Sequence, residues 1–323
     1  MEQRIGPQQS RLQDDLRGLV EGDVQCDEVF SRLYATDAGM YERRPLGVVQ
    51  PRSTADVAAC MKYAAENGLT LTVRGSGTGV ASGSIGPGLM LDMARYMRRV
   101  VRVHDESVRV QAGIVCERLN AYLARHDGRF VGYMAGNEKT TTAGGLYSVD
   151  GAGRRFLRYG RPVQYVRSLQ VVLPSGDVVE LIRSGALSDD SNASSQSPFP
   201  AQDLFQLLQG RQSLLAPPST ITTSEGSNNR RTNRAGDAWR ESIPGCGFRL
   251  QESLVDGRLD PVRLFAGSEG TLGVITEIEL ETQPLTRRQA AVVFLFDSLE
   301  KTLHAARELQ SLSPVSCDLV DRR

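Results

Sequence analysis

A glycine-rich segment that directly follows an extended apolar run constrains this chain more than any other feature. It reads TLTVRGSGTGVASG and covers residues 70–83. Such a turn lets bare backbone approach a ligand, and successive N–H groups can bind a phosphate. The dinucleotide pattern G-x-G-x-x-G fails, because Val80 or Ser82 stands at its third glycine, and no Gly-Lys-Ser/Thr follows as in a P-loop. The segment alone leaves open an anion-binding loop and an ordinary glycine-rich turn.

Composition and charge exclude several classes of protein. Hydrophobic residues make up 40% and charged residues 24% of 323 residues, as in globular domains. Lys plus Arg and Asp plus Glu both number 38, so no net field favours nucleic acid or an acidic membrane. The longest apolar run, residues 290–296, is too short to cross a bilayer, and the N-terminus lacks an apolar signal core. We therefore expect a cytoplasmic protein that binds no nucleic acid and has no membrane span.

The cysteines and histidines predict no metal site. The five cysteines are scattered singly with no Cys-x-x-Cys, which argues for reduced thiols rather than a cluster or zinc ligands. The three histidines are expected at the surface, in a hairpin turn, near a helix end and on a tail helix. The five cysteines are Cys26, Cys60, Cys116, Cys246 and Cys317. The three histidines are His104 in the hairpin turn, His126 near the helix end and His304 on the tail helix.

Hydrophobic periodicity predicts a mixture of helices and strands. Residues 1–39 are expected to form a polar helical lead with Leu12, Leu16, Leu19 and Val20 on its apolar side. A helix capped by Ser53 has the apolar face Val57, Cys60, Met61 and Ala64 and ends at Gly68. Strands are predicted at 69–73, 89–93, 100–103, 108–111 and 290–296, with a hairpin around Pro174-Ser175-Gly176-Asp177. Further helices are predicted at 114–126, with Leu119, Tyr122 and Leu123 inward, and along Leu299, Leu303, Ala306 and Leu309.

Five separated segments, in this order, resemble the FAD-linked oxidases of the vanillyl-alcohol-oxidase and p-cresol-methylhydroxylase type. The similarity is greatest to the branch of D-lactate dehydrogenase and the glycolate oxidase subunit, and it covers about residues 36–283. The segments are TDAGMYERRPLGVVQPRSTADV, VRGSGTGVASG, LMLDMARYM, TTAGGLYSVDGAGRRFLRYG and GSEGTLGVITEIEL.

The resemblance implies an α+β fold, a two-lobed PCMH-type domain that binds FAD between its lobes. This domain would span residues 40–283, with a Ser/Asn/Pro-rich surface excursion at 184–236 that contains one short helix. Residues 284–323 would be the truncated start of a C-terminal cap domain. The cofactor-binding residues implied are Arg74, Gly75, Ser76, Gly77, Thr78, Gly79, Ser82, Gly83, Thr142, Gly144, Gly145, Gly153, Glu269, Gly270 and Ile275.

The resemblance also implies how the flavin is held. Covalent members carry a histidine where this chain has Thr78, so we expect non-covalent FAD. Cys246 is the other candidate tether, but its setting, PGCGFRL, favours a packed thiol. Of the arginine pairs at 98–99, 154–155 and 230–231, only Arg154 and Arg155 are expected to reach cofactor or substrate.

The activity implied is oxidation of a D-2-hydroxy acid such as D-lactate or glycolate by hydride transfer to flavin N5. Electrons would pass to an acceptor or an iron–sulfur domain or subunit. No side chain is identified as the catalytic base, which would lie in the cap. Two alternatives stay open: a fragment that binds FAD without turnover, and a flavin-free scaffold or subunit that needs a partner chain.

Overall fold

Two β-sheets with accompanying helices form the two lobes of the computed structural model. It describes residues 6–126, 128–132, 137–151, 153, 155–183, 199–209, 247–248, 250, 252–255, 258–285, 288 and 290–321. The predictions for Cys246, Arg154, the pair at 230–231 and most of the excursion at 184–236 lie outside these residues.

The first lobe is built on a four-stranded sheet with a parallel centre. Its order is β1-β2-β4-β3, in which β2 and β3 run parallel to β4 while β1 is antiparallel to β2. Because β2 and β4 are buried along their whole length, they read as continuous apolar runs. The elements are α1 (Pro7–Arg17), β1 (Asp23–Gln25), α2 (Glu28–Leu33), β2 (Gly47–Gln50), α3 (Thr54–Glu66), β3 (Leu71–Arg74) and β4 (Leu89–Asp92).

Local sequence explains where α3 begins and which face it buries. The Ser53 side chain accepts a hydrogen bond from the backbone N–H of Asp56 at 3.2 Å, which caps the first turn. Val57, Cys60 and Ala64 lie on one face and are at most 3% exposed, packed against the sheet. This helix and its cap are as predicted.

The second lobe is built on a five-stranded antiparallel sheet in the order β5-β6-β12-β8-β9. Both predicted hairpins are confirmed, β5 with β6 and β8 with β9. The strands of this sheet are β5 (Val100–Val103), β6 (Ser107–Gln111), β8 (Val166–Val172), β9 (Val178–Ile182) and β12 (Val274–Glu281). Two further pairs of short strands are β7 (Arg129–Phe130) with β13 (Gln283–Pro284), and β10 (Leu254–Val255) with β11 (Arg258–Leu259). The remaining helices are α4 (Cys116–His126), α5 (Ala143–Val149), α6 (Phe156–Tyr159), α7 (Ala201–Gln209), α8 (Pro261–Phe265) and α9 (Leu299–Leu309), with 3-10 turns at Pro162–Tyr165 and Gln310–Leu312.

The two lobes share a packed boundary. Val172 at the end of β8 and Val274 at the start of β12 belong to the second sheet, yet they are buried in the hydrophobic core of the first lobe. Thr54, at the start of α3, donates a hydrogen bond to Gln170 Oε1 of β8 at 2.8 Å. The first helix after β2 therefore attaches its lobe directly to the second sheet.

Three details of the predicted elements are wrong. The lead is not wholly helical, because α1 ends at Arg17, Leu19 is 54% exposed and β1 adds a strand. Tyr122 is 37% exposed rather than inward, since it lies off the Leu119–Leu123 stripe, and its ring contacts His126. Residues 290–296 form no strand, because no described strand pairs with them, and unpaired backbone has no ladder to join.

Candidate functional site

The glycine-rich segment lies at the carboxyl edge of the parallel strands. It leaves β3 after Arg74, and β2 and β4 end beside it at Gln50 and Asp92. In open sheets with parallel strands, the carboxyl edge is where ligands usually bind. We define residues 75–84 as the glycine loop.

Segments from both lobes contact the glycine loop. From the second lobe, Thr142 precedes α5, and its Oγ1 fills the space that a Cβ of Gly75 would need. Glu269 approaches the other end, where a Cβ on Gly83 would lie 2.8 Å from its Oε2. From the first lobe, Ala38 N–H donates to Gly77 O at 3.1 Å. The loop is therefore in contact with both lobes at their boundary.

Several cofactor-binding residues implied by the resemblance lie at this boundary between the lobes, and others lie within the glycine loop. Thr142 is 1% exposed and caps α5 by accepting from Gly145 N–H at 3.3 Å. The Glu269–Gly270 turn lies against β3, since a Cβ on Gly270 would come 3.7 Å from Val73. Ser76 and Thr78 hydroxyls are 3.4 Å apart, and Thr78 and Gly79 are exposed.

Two of the implied residues have a structural explanation of their own. Gly144 donates to Ala112 O at 2.8 Å, and a Cβ there would lie 2.7 Å from the Ala112 Cβ, so the protein itself requires its small size. Ile275 is 6% exposed in the larger core and pairs with Val171. Gly153 is partly buried beyond the end of α5.

The chemistry of the loop fits a polar, negatively charged group. Ser82 Oγ and, beside Glu269, Ser268 Oγ are buried hydroxyls with no hydrogen-bond partner in the described part of the chain. Arg74 donates to Ser84 O at 3.2 Å, and no carboxylate oxygen of a described residue lies within 4 Å of its guanidinium. A ligand that carries negative charge would therefore suit the Arg74 guanidinium beside the loop.

A polar cluster at the ends of α2, β2 and β4 was not predicted from the sequence. Tyr34 donates a 2.6 Å hydrogen bond to Asp92 Oδ2, and Gln50 Nε2 contacts both at 3.1 and 3.3 Å. Burial and the Asp92 carboxylate raise the pKa of Tyr34 to about 12, so its hydroxyl stays protonated at neutral pH. The only sequence signal was a polar residue at the end of each buried strand. We call Tyr34, Gln50 and Asp92 the polar cluster.

The three histidines, which are expected at the surface, have no described contact with the glycine loop. His104 lies in the β5–β6 turn, His126 ends α4, and His304 on α9 contacts Glu308 at 3.4 Å. Arg155, which is expected to reach cofactor or substrate, pairs with Glu138 at 3.6 Å. No group of three or more His, Cys, Asp or Glu residues in the described ranges has the geometry to hold a metal ion.

Comparison with known proteins identifies the class. Residues 45–182 match the family described as the FAD binding domain. The chain is 30% identical over 314 residues to D-2-hydroxyglutarate dehydrogenase of Pantoea ananatis, covering 94% of this chain and 28% of that protein. It is 25% identical over 303 residues to D-lactate dehydrogenase of Anaerostipes hadrus, covering 92% of this chain and 49% of that protein. The chain thus spans less than half the length of either relative.

Solved structures share the fold at low sequence identity. One alkyldihydroxyacetonephosphate synthase aligns with a TM-score of 0.57 at 17% identity, over 88% of this chain and 42% of that one. A chitooligosaccharide oxidase aligns with a TM-score of 0.52 at 15% identity, over 85% and 43%. The chain therefore has the α+β fold of the FAD-linked oxidases. With residues 45–182 matching the FAD binding domain, the resemblance found in the sequence is confirmed, with FAD as the cofactor.

Membrane insertion through a helix has no support in the described ranges. None of the helices found there combines the length and the apolar character that crossing a bilayer requires.

Proposed function

We propose that this chain is the FAD-binding part of a dehydrogenase that oxidises a D-2-hydroxy acid. The observation that carries the proposal is the glycine loop at the boundary of the two lobes, with an uncompensated Arg74 and two unpaired buried hydroxyls. When bound, FAD supplies a two-electron acceptor for the hydride that leaves the carbon bearing the substrate hydroxyl. D-2-hydroxyglutarate joins D-lactate and glycolate as a candidate substrate, because the chain matches relatives named for each of these three acids.

The residues of this chain would bind and orient the cofactor. Backbone N–H groups of the glycine loop would hold the diphosphate, and the Arg74 guanidinium would offset part of its charge. Thr142 and Glu269 would bound the site from the second lobe. The exposed Thr78 hydroxyl stands where covalent members carry a histidine, so we propose that FAD is bound without a covalent bond.

The proton acceptor, the electron acceptor and the cellular location are further proposals. Because no described contact joins the three histidines to the glycine loop, we propose none of them as the substrate base. An electron acceptor or iron–sulfur partner would reoxidise the flavin. Buried, unpaired cysteines favour a reducing compartment such as the cytoplasm.

Anaerobic reduction of the reconstituted protein tests this function. The chain is incubated with FAD, dialysed, and titrated with D-2-hydroxyglutarate, D-lactate or glycolate while flavin absorbance is followed. We expect retained yellow flavin that a D-acid bleaches and its L-enantiomer does not. Retained flavin that no acid bleaches supports the alternative of an FAD-binding fragment. A colourless chain supports the scaffold alternative.

A further inference from the structure

The polar cluster lies where three elements of the first lobe end. Tyr34 follows α2, Gln50 ends β2 and Asp92 ends β4. Asp92 is 7% exposed, and its Oδ1 accepts a further hydrogen bond from Ala94 N–H at 2.9 Å. Every hydrogen bond described for this carboxylate comes from a neutral donor. The cluster is therefore held together without an ion pair to Arg or Lys.

Arg74 connects the polar cluster with the glycine loop. It pairs with Asp92 in the parallel register of β3 and β4, and its guanidinium carbon lies 5.4 Å from the centroid of the Tyr34 ring. The same guanidinium donates to Ser84 O at the far end of the loop. It also fills the space beside Gly77, whose φ of +66° suits glycine and where a Cβ would overlap it. Arg74 is thus enclosed by the Tyr34 ring on one side and the loop on the other.

This arrangement favours a role in ligand binding over a purely structural ion pair. A cation over an aromatic face is attracted by the ring while its charge is not neutralised. The hydrogen bonds of Tyr34 to Asp92 and Gln50 fix the orientation of that ring. Arg74 is therefore positioned between the Tyr34 ring and the loop, with no carboxylate of a described residue within 4 Å of its guanidinium.

We infer that Tyr34, oriented by Asp92 and Gln50, is a positioning residue that holds Arg74 beneath the glycine loop and thereby sets the affinity for the diphosphate of FAD. The inference rests on the FAD-binding role within the proposed function. It concerns cofactor affinity alone, so it can fail while the proposed reaction stands.

A double-mutant cycle on FAD affinity tests the inference. The dissociation constant of FAD is measured by quenching of flavin fluorescence on the apoprotein of the full chain, for wild type, Tyr34→Leu, Arg74→Gln and the double variant. We expect each single variant to weaken binding about tenfold and the double variant to differ from Arg74→Gln by less than about twofold. We also expect both single variants to weaken the dependence of affinity on salt.

Tyr96 provides a matched control in the same lobe. Its hydroxyl donates to Asp23 at 2.6 Å and the Arg52 guanidinium carbon lies 3.9 Å from its ring centroid, but no described contact joins it to the loop. Tyr96→Leu should leave FAD affinity unchanged. Tyr34→Phe keeps the ring and removes only the hydroxyl, so it should give an intermediate loss and completes the cycle if Tyr34→Leu does not fold.

Two results would overturn the inference. One is an unchanged FAD affinity in Tyr34→Leu, and the other is additive losses in the double variant, since both mean that Tyr34 does not act through Arg74. A wild-type chain that takes up no FAD would overturn this inference and the proposed function together. A wild type that shows the expected cycle but is bleached by no hydroxy acid would overturn only the proposed reaction.

Discussion

Thr142 Oγ1 accepts a hydrogen bond from Gly145 N–H and, on its other side, occupies the position that a Cβ of Gly75 would need. One buried hydroxyl thus caps the first turn of α5 in the second lobe and contacts the glycine loop of the first. Glycine at position 75 is therefore required by the protein itself, whatever ligand the loop binds.

Substitution at Gly75 should destabilise the apoprotein, whereas the same change at Gly79 should not. Gly75→Ala forces Thr142 or the loop to shift, which costs about 1–3 kcal/mol in the free energy of unfolding. Gly79→Ala is the control, because no atom of the described structure lies within 4 Å of the place that the added methyl group would occupy. Denaturant unfolding of the two flavin-free variants measures the difference. Equal stabilities would contradict the contact between the lobes.

Removal of the Thr142 hydroxyl should weaken the start of α5. Thr142→Val keeps the volume but loses the cap to Gly145, so we expect a loss of about 1 kcal/mol in unfolding free energy. Thr142→Ser keeps the hydroxyl and serves as the comparison. If the two variants are equally stable in denaturant titrations, the cap contributes nothing.

The buried ion pair between Asp150 and Arg161 should be costly to break. The two side chains are 2% and 9% exposed and 3.0 Å apart, so Arg161→Met removes the cation that faces a buried carboxylate and should cost about 3–5 kcal/mol. Arg32→Met removes the exposed pair of Arg32 with Glu28 and should hardly change the unfolding free energy. A similar, small effect of both variants would argue against a folding role for the buried pair.

Stability should fall as the pH rises above about 9. Burial raises the pKa of Cys60 from 9.0 to about 12, so between these values the folded chain keeps a proton that the unfolded chain has lost. Fewer bound protons in the unfolded state mean that the free energy of unfolding decreases with pH, by up to about 1.4 kcal/mol per pH unit for one thiol. Cys60→Ala should make the slope of unfolding free energy between about pH 9 and pH 10.5 shallower. An unaltered slope would show that this thiol does not contribute.

Denaturation should release all of the flavin. Because Thr78 offers no imidazole to the flavin ring, acid precipitation of the reconstituted protein should leave the yellow colour in the supernatant. Colour in the pellet would contradict non-covalent binding. Its loss in Cys246→Ser would then identify the tether.

Local features of the fold were predictable because each depends on a few neighbouring residues. The Ser53 cap, the two hairpins and the strands that flank the glycine loop all follow from signals within about a dozen residues. The strand predicted at 290–296 failed for the opposite reason. Apolar residues there match a strand, but a strand exists only where another can pair with it.

The sequence by itself determined the glycine loop, the capped helices and, through five ordered segments, the FAD-linked family. It could not reveal which distant side chains meet at the loop. Tyr34 and Asp92 are 58 positions apart, and only the folded chain brings the end of α2 to the ends of β2 and β4, where the two side chains form a hydrogen bond. The contacts of Thr142 and Glu269 with the loop likewise exist only once the two lobes pack together. Short-range backbone preferences are determined by neighbouring residues in the sequence. The burial and the charge environment of a side chain, in contrast, are properties of the folded chain.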